Sequence, residues 1–194
     1  MPFAPLLMSW SGKGQLPVLT NAETLGYSPL IDGYALHSGY YLNELILKLL
    51  HRFDEHAELY DAYHQAIHKL TRGENPAVIL RVFEKQLLKE TGFGLILDHD
   101  VETGEVVRTD LDYHYMPERG PVAARLENGE TNGSGLRISG HALQAMESEQ
   151  FDVDSCRQAR SLMRTLIQKQ LGGKKIRSRR VMIEVMKYQD LDKS

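Results

Sequence analysis

The side chains best suited to binding a ligand in this sequence are basic and lie near its carboxyl end. The stretch LGGKKIRSRR, residues 171–180, carries five lysine and arginine side chains and no acidic one. Residues 155–194 hold 11 basic and 3 acidic residues, whereas residues 1–154 hold 12 basic and 23 acidic ones. This asymmetry indicates a surface that binds a polyanion or, alternatively, a basic helix that docks on an acidic body.

A row of arginines precedes this stretch. Arg157, Arg160 and Arg164 are three and four residues apart, so a helix places them on one face and apolar residues on the other. Like charges at this spacing repel by a few tenths of a kcal/mol per pair. A fold tolerates such a row more readily when an anion neutralises it, and the row therefore favours nucleic acid as the partner.

Other kinds of chemistry find less support. His99 and His114 lack the spacing of a metal site. The turn SGKG, residues 11–14, lacks the frame of a nucleotide-binding loop, and the glycines of LGGKK follow a helix instead of opening one. Cys156 lies near a predicted helix start, but no histidine is close to it in the sequence. We therefore predict no metal, no cofactor and no enzymatic activity.

Composition sets the class of protein. The 194 residues are 42% hydrophobic and 25% charged, which suffices for a packed core. The single cysteine excludes an internal disulfide and fits a reducing cytosol. No apolar run is long enough to span a bilayer, and the first residues do not resemble a signal peptide. We expect a cytoplasmic globular protein without a membrane partner.

The spacing of apolar residues predicts the elements that position the basic side chains. A helical period over residues 34–53, over residues 56–71 and from Pro76 to about residue 90 predicts three amphipathic helices in a small bundle. Short strands and turns follow, then a helix capped by Ser139, and another from about Asp154 to a stop at Gly172. Residues 1–33 predict short strands interrupted by prolines. The predicted fold class is mainly α with a small β part.

Three short motifs connect these elements to a known family. They are N-E-L at residues 43–45, L-R-x-F-E at residues 80–84 and L-G-G-K-x-x-x-S-R at residues 171–179. In this order, and over nearly the whole chain, they resemble the RecO family of DNA repair proteins, most closely its gamma-proteobacterial members. The resemblance implies an N-terminal OB-fold followed by a helical domain that a zinc-ribbon-like insertion interrupts.

The resemblance also implies a function. Members of the family are recombination mediators of the bacterial cytoplasm and nucleoid, and they are not enzymes. They bind single- and double-stranded DNA, anneal strands coated with single-strand-binding protein, and act with RecR to load RecA. The DNA contacts expected on this basis are Lys13, Arg157, Arg160, Arg164, Lys174, Lys175, Arg177, Arg179 and Arg180.

The resemblance further implies a binding site for a protein tail. We expect the helix that starts at Pro76 to carry a pocket for the acidic tail of single-strand-binding protein, with Arg81 paired to its carboxylates. The alternative is that Arg81 is an exposed charge on an amphipathic helix.

Two features depart from the family pattern. The insertion, at about residues 93–135, contains no cysteine, so we expect a metal-free β-ribbon. The chain begins inside the region that corresponds to the OB-fold, so we interpret residues 1–33 as a remnant of that domain and residues 34–194 as the helical domain. A second hypothesis is therefore a protein-binding adaptor that recognises acidic protein tails and binds little DNA of its own.

Overall fold

The structure, a computed structural model, describes residues 3–12, 17–26, 31–51, 54–124, 126–127, 130–131, 135–178 and 181. The described helices are α1 (Gly33–Leu49), α2 (Ala57–Thr71), α3 (Pro76–Glu90), α4 (Gly140–Ser148) and α5 (Val153–Gln170). The described strands are β1 (Leu6–Ser11), β2 (Val18–Thr24), β3 (Asp112–Met116), β4 (Gly120–Ala123), β5 (Leu126–Glu127), β6 (Glu130–Thr131) and β7 (Leu136–Ser139). The chain thus combines helices with small antiparallel sheets. None of these helices is long and apolar enough to cross a membrane.

Capping side chains set the starts of the helices. Pro76 occupies the first turn of α3, where its missing N–H costs no hydrogen bond. Ser139 caps α4, because its side chain accepts a hydrogen bond from the Ala142 N–H at 3.1 Å, which confirms the sequence prediction. Asp152 and Ser155 form a reciprocal capping box at the start of α5. The start of α5 therefore lies within two residues of the position predicted from the sequence.

The core lies between α1, α3 and α5. Phe83, Leu87 and Leu88 of α3 are fully buried, as are Leu42 and Leu45 of α1. From α4 and α5 the same core receives Leu143, Met146, Ala159, Leu162, Met163 and Ile167. Burying one such leucine side chain contributes about 1.5–3 kcal/mol. This packing fixes the rotation of α5 and thereby directs its arginines away from the core.

A three-stranded antiparallel sheet with the order β4-β3-β7 packs on the helices. Tyr113 of β3 lies opposite Ala123 of β4 and Ile138 of β7, and both Tyr113 and Ile138 are buried in the common core. At Gly140, which follows β7, a Cβ atom would lie 1.9 Å from the Arg108 carbonyl oxygen, so only glycine fits. The sequence pattern does not predict β7, because four residues carry too little periodicity. The strands β5 and β6 pair separately.

The strands β1 and β2 form an antiparallel hairpin whose side chains are all exposed. A hydrogen bond of 2.8 Å from the Leu25 N–H to the Pro5 carbonyl oxygen extends the pairing. The hairpin region meets the helices through Phe3, whose ring centroid lies 5.5 Å from that of Tyr40. Two described strands do not make a five-stranded barrel, so the OB-fold implied by the resemblance stays a prediction.

Asp100 holds the turns after α3 together. Its Oδ1 accepts hydrogen bonds from the backbone N–H groups of Glu102 and Thr103, at 2.8 and 3.1 Å. Its Oδ2 accepts a third, at 2.7 Å, from the Ala123 N–H at the end of β4. Asp100 is buried, and several N–H donors stabilise a buried carboxylate in its charged form. A carboxylate therefore cross-links the segment in which the resemblance would place zinc ligands.

The histidines considered as metal ligands lie in different surroundings. His99 is partly exposed, and its Nδ1 lies 2.7 Å from Oδ1 of the neighbouring Asp98. His114 is instead buried within β3. Within the part of the chain that the structure describes, no group of three or more histidine, cysteine, aspartate or glutamate side chains is placed to hold a metal ion.

Replacing Asp100 with alanine should lower the free energy of unfolding by about 1–3 kcal/mol, because three backbone N–H groups lose their acceptor. Urea unfolding followed by circular dichroism measures the change. Asp98→Ala is the matched control, since the Asp98 side chain is 70% exposed, and it should cost less than about 0.5 kcal/mol. Equal destabilisation by the two variants would show that the Asp100 cross-link is unimportant.

Candidate nucleic-acid interface

The arginine row of α5 lies on the surface, opposite the side that packs in the core. Arg157, Arg160 and Arg164 are all exposed, as the helical spacing predicts. Arg157 forms an ion pair with Asp154, one turn earlier on the same helix. Neither Arg160 nor Arg164 has an ion-pair partner among the described residues. These two arginines therefore carry the available positive charge of the row.

Arg81 of α3 is buried rather than exposed. Arg81 is 5% exposed, and its Nη2 lies 2.7 Å from Oε1 of Glu84, one turn along α3. The Tyr41 hydroxyl of α1 donates to the same Glu84 oxygen at 2.7 Å, so this group also joins α1 to α3. The Nε atom of Arg81 has no hydrogen-bond partner within the described structure. The alternative in which Arg81 is a solvated charge on a helix surface is therefore wrong.

A groove brings Arg81 and the arginine row together. It has a volume of about 390 Å³ and lies between α3, the start of α1 and α5. Its basic lining consists of Arg81, Arg157, Arg160 and Arg164, and its aromatic lining consists of Tyr34, Tyr41 and Phe151. We call this site the arginine groove. Arg81, expected to bind a protein tail, and the arginine row of α5, expected to bind DNA, thus line one site.

Cys156 also lines the arginine groove. Burial raises the pKa of its thiol above the ordinary value, and the nearby positive charges of Arg81 and Arg160 oppose that shift without cancelling it. A thiol with a raised pKa remains protonated at neutral pH and is a poor nucleophile. The groove is therefore better suited to binding an anion than to covalent catalysis.

The segment after α5 carries the second group of predicted contacts. Gly172 has a φ of 55°, the left-handed conformation that ends many helices, which confirms its predicted role as a helix stop. Lys174, Lys175 and Arg177 follow, and their side chains are exposed. Ile176 packs against the core between them. The predicted contacts Lys13, Arg179 and Arg180 lie outside the described residues.

Glu44 of α1 fixes this basic segment to the helices. Its carboxylate accepts hydrogen bonds from the Arg177 N–H at 2.9 Å, from the Ser178 N–H at 2.7 Å and from the Ser178 hydroxyl at 2.6 Å. Lys48 lies 3.4 Å away, one turn along α1. The segment thus docks on an acidic residue through its backbone, which leaves the charged ends of its side chains exposed. The sequence analysis treated docking of the basic residues on an acidic body and binding of a polyanion as alternatives. The two are compatible in this arrangement.

The link between Glu44 and Ser178 could not be predicted from the sequence, because 134 positions separate the two residues. The pairing of Arg157 with Asp154 and that of Arg81 with Glu84 could have been found, since both pairs have the helical spacing of three residues. The sequence analysis placed Asn43 in the N-E-L motif but did not predict its contact. Its side-chain oxygen accepts a hydrogen bond of 2.7 Å from the Tyr63 hydroxyl and so joins α1 to α2.

The pKa of Glu44 reflects its contacts. Partial burial opposes ionisation, but the hydrogen bonds from Arg177 and Ser178, with Lys48 nearby, outweigh it and hold the pKa of Glu44 below its ordinary value of 4.5. A depressed pKa in the folded state means that the charged form is the one that stabilises the fold. The stabilisation is therefore complete above pH 4.5 and is lost as the pH falls through the folded-state pKa.

Comparison with known proteins finds relatives over most of the chain. Residues 31–180, which include all five described helices, match the family model described as recombination protein O C terminal. A DNA repair protein RecO of Azoarcus sp. (strain BH72) is 43% identical over 187 residues, which cover 96% of this chain and 76% of the relative. The protein of the same name from Nitrosospira multiformis is 40% identical over 186 residues, covering 94% and 74%. That of Nitrosococcus oceani is 38% identical over 185 residues, covering 95% and 74%.

Glu44→Gln should destabilise the protein at neutral pH and much less in acid. The glutamine side chain lacks the charge that the Arg177 and Ser178 donors favour, so the variant loses stability that wild type keeps above pH 4.5. Urea unfolding midpoints of both proteins, measured from pH 3 to 7, give the difference at each pH.

The matched control for this measurement is Glu58→Gln, at a side chain that is 72% exposed and lies 3.8 Å from Lys89. It should alter the midpoints little at any pH. A Glu44→Gln difference that stays constant across this pH range would contradict the assigned role of the carboxylate charge.

Proposed function

Because the chain belongs to the RecO family of DNA repair proteins, we propose that it is a recombination mediator that binds single- and double-stranded DNA. The observation that supports this most directly is the arginine groove, in which the exposed Arg160 and Arg164 have no described acidic partner. Anion binding without catalysis suits such a site, and we propose that the protein is not an enzyme. Its place of action is the bacterial nucleoid.

We propose that DNA follows a path from the α5 row to the basic segment. The phosphates meet Arg157, Arg160 and Arg164 first, then Lys174, Lys175 and Arg177, all of which are exposed. Lys13, Arg179 and Arg180, which lie outside the described residues, are proposed as further DNA contacts. Tyr34 and Phe151 line the groove and offer surfaces on which unpaired bases can stack. Phosphate contacts of this kind carry no sequence information, so binding should be sequence-independent.

The groove also supports a protein partner. We propose that the acidic, phenylalanine-ending tail of single-strand-binding protein enters it, with its carboxylates near Arg81 and Arg160 and its phenylalanine among Val78, Leu80 and Phe151. Arg81 is suited to this role because its Nε donor is buried and lacks a described acceptor. Together with RecR, the protein would then promote strand annealing and the loading of RecA.

The second candidate is an adaptor that binds acidic protein tails and little DNA. One observation favours it: Arg157 is already neutralised by Asp154, and Asp152 and Glu84 also line the groove. These acids weaken the attraction for a long polyanion more than the attraction for a short peptide that seats an apolar end. Comparing the affinities for an oligonucleotide and for a peptide ending Asp-Asp-Asp-Ile-Pro-Phe separates the two functions.

Arg160→Ala/Arg164→Ala should flatten the salt dependence of DNA binding. Each lost contact to a single-stranded phosphate lowers the slope of log K against log salt by about 0.7, so the double variant should lose about 1.4. Fluorescence anisotropy of a labelled oligonucleotide between about 50 and 200 mM salt measures the slope. Lys174→Ala/Lys175→Ala should have a similar effect.

The matched control for the salt series is Arg72→Ala/Arg119→Ala, which removes the same charge from two exposed arginines outside the groove. Its slope should equal that of wild type. If Arg160→Ala/Arg164→Ala also leaves the slope unchanged, the α5 row does not contact DNA, and the adaptor gains support.

Arg81→Gln/Glu84→Gln should weaken binding of the acidic peptide by roughly 10-fold or more, because a charge-assisted hydrogen bond is worth about 1.5–3 kcal/mol. Both charges are removed together, because Arg81→Ala alone would deprive the buried Glu84 carboxylate of its ion-pair partner and cost about 3–5 kcal/mol of stability. Isothermal titration calorimetry gives the affinity, and urea unfolding confirms that the variant is folded. Peptide binding equal to that of wild type would remove Arg81 from the site.

A further inference from the structure

We propose that DNA and an acidic peptide exclude one another from the arginine groove, so that each molecule of this protein holds one of the two at a time. The inference rests on the proposed function, because it takes binding of each ligand as given. It goes further by placing both ligands on the same side chains and by predicting the form of their competition.

The first step is the placement of charge. Of the four arginines that line the groove, Arg81 is paired with Glu84, and Arg157 is paired with Asp154. Arg160 and Arg164 remain without a described acidic partner. Any anion that enters the groove therefore meets the same two available guanidinium groups, whether it is a phosphate or a carboxylate.

The second step is the size of the site. A volume of about 390 Å³ is near the lower end of the range of about 300–1,000 Å³ found for sites that hold one small ligand. The groove therefore holds either a short piece of nucleic acid or the end of a peptide. A ternary complex would need both ligands to share a volume that suits one.

The third step is that both walls of the groove carry arginines. Cys156 lines the groove together with Arg81, on α3, and Arg160, on α5. The two walls of the groove thus carry positive groups. A ligand held at the buried Arg81 occupies the groove that the exposed Arg160 also lines, so binding at one arginine affects binding at the other.

The experiment measures binding of a short labelled single-stranded oligonucleotide to the full chain at fixed concentrations of a peptide ending Asp-Asp-Asp-Ile-Pro-Phe. Exclusive binding raises the apparent dissociation constant for DNA in proportion to peptide concentration, without a plateau. Peptide at ten times its own dissociation constant should weaken DNA binding about 11-fold, because the free fraction of the protein falls by that factor.

Two controls accompany the titration. A peptide in which the three aspartates are replaced by asparagine should displace little DNA, which separates occupancy of the site from unspecific effects of added peptide. Arg72→Ala/Arg119→Ala should show the same competition as wild type, whereas Arg160→Ala/Arg164→Ala should lose affinity for both ligands.

The outcomes are distinct. A weakening that levels off, or DNA binding that is unaffected by saturating peptide, would mean that both ligands bind together, and it would overturn the proposal while leaving the proposed function intact. Failure of the oligonucleotide to bind in the absence of peptide would overturn the proposed DNA-binding function itself, and the exclusion with it.

Discussion

The buried ion pair between Arg81 and Glu84 is the constraint on which the groove depends. Removing two charges from water is costly, and the pair is tolerated because the two charges face each other and the Tyr41 hydroxyl donates a further hydrogen bond to Glu84. Glu84 accepts from Arg81 and from the Tyr41 hydroxyl, so the pair also sets the distance between α1 and α3. A single carboxylate thereby holds an arginine inside the protein and keeps it positioned beside a cavity.

Glu84 and Asp154 are paired with arginines of the groove, whereas other acidic residues of the chain are engaged by the fold. Glu44 accepts hydrogen bonds from backbone N–H groups of the basic segment, Asp152 caps α5, and Asp100 joins the turns after α3 to the end of β4. Each of these carboxylates already has donors that compete with an arginine for its oxygens. Arg160 and Arg164 have no acidic partner among the described residues, so their positive charge is available even though the chain as a whole is negative.

The parts of this structure that could be predicted from sequence are those with local causes. Helix positions follow from apolar spacing, the cap at Ser139 follows from one side chain, and the stop at Gly172 follows from the conformational freedom of glycine. The groove could not be predicted, because it needs the relative placement of α1, α3 and α5. The same reason hides the link between Glu44 and Ser178, and it explains why the burial of Arg81 was not predicted.

The arginines of the groove differ in their exposure to solvent, and this difference gives them different roles. Charges such as those of Arg160 and Arg164 lie in water, where salt screens them over about 8–10 Å, so they attract polyanions and speed encounter more than they select. Arg81 lies where water is excluded, and an acceptor that reaches its Nε satisfies a buried donor that is otherwise without a described partner. The exposed Arg160 and Arg164 therefore attract any polyanion, whereas the buried Arg81 selects among ligands. A ligand with an anionic group that fits beside Arg81 gains affinity that a chain passing over the rim does not.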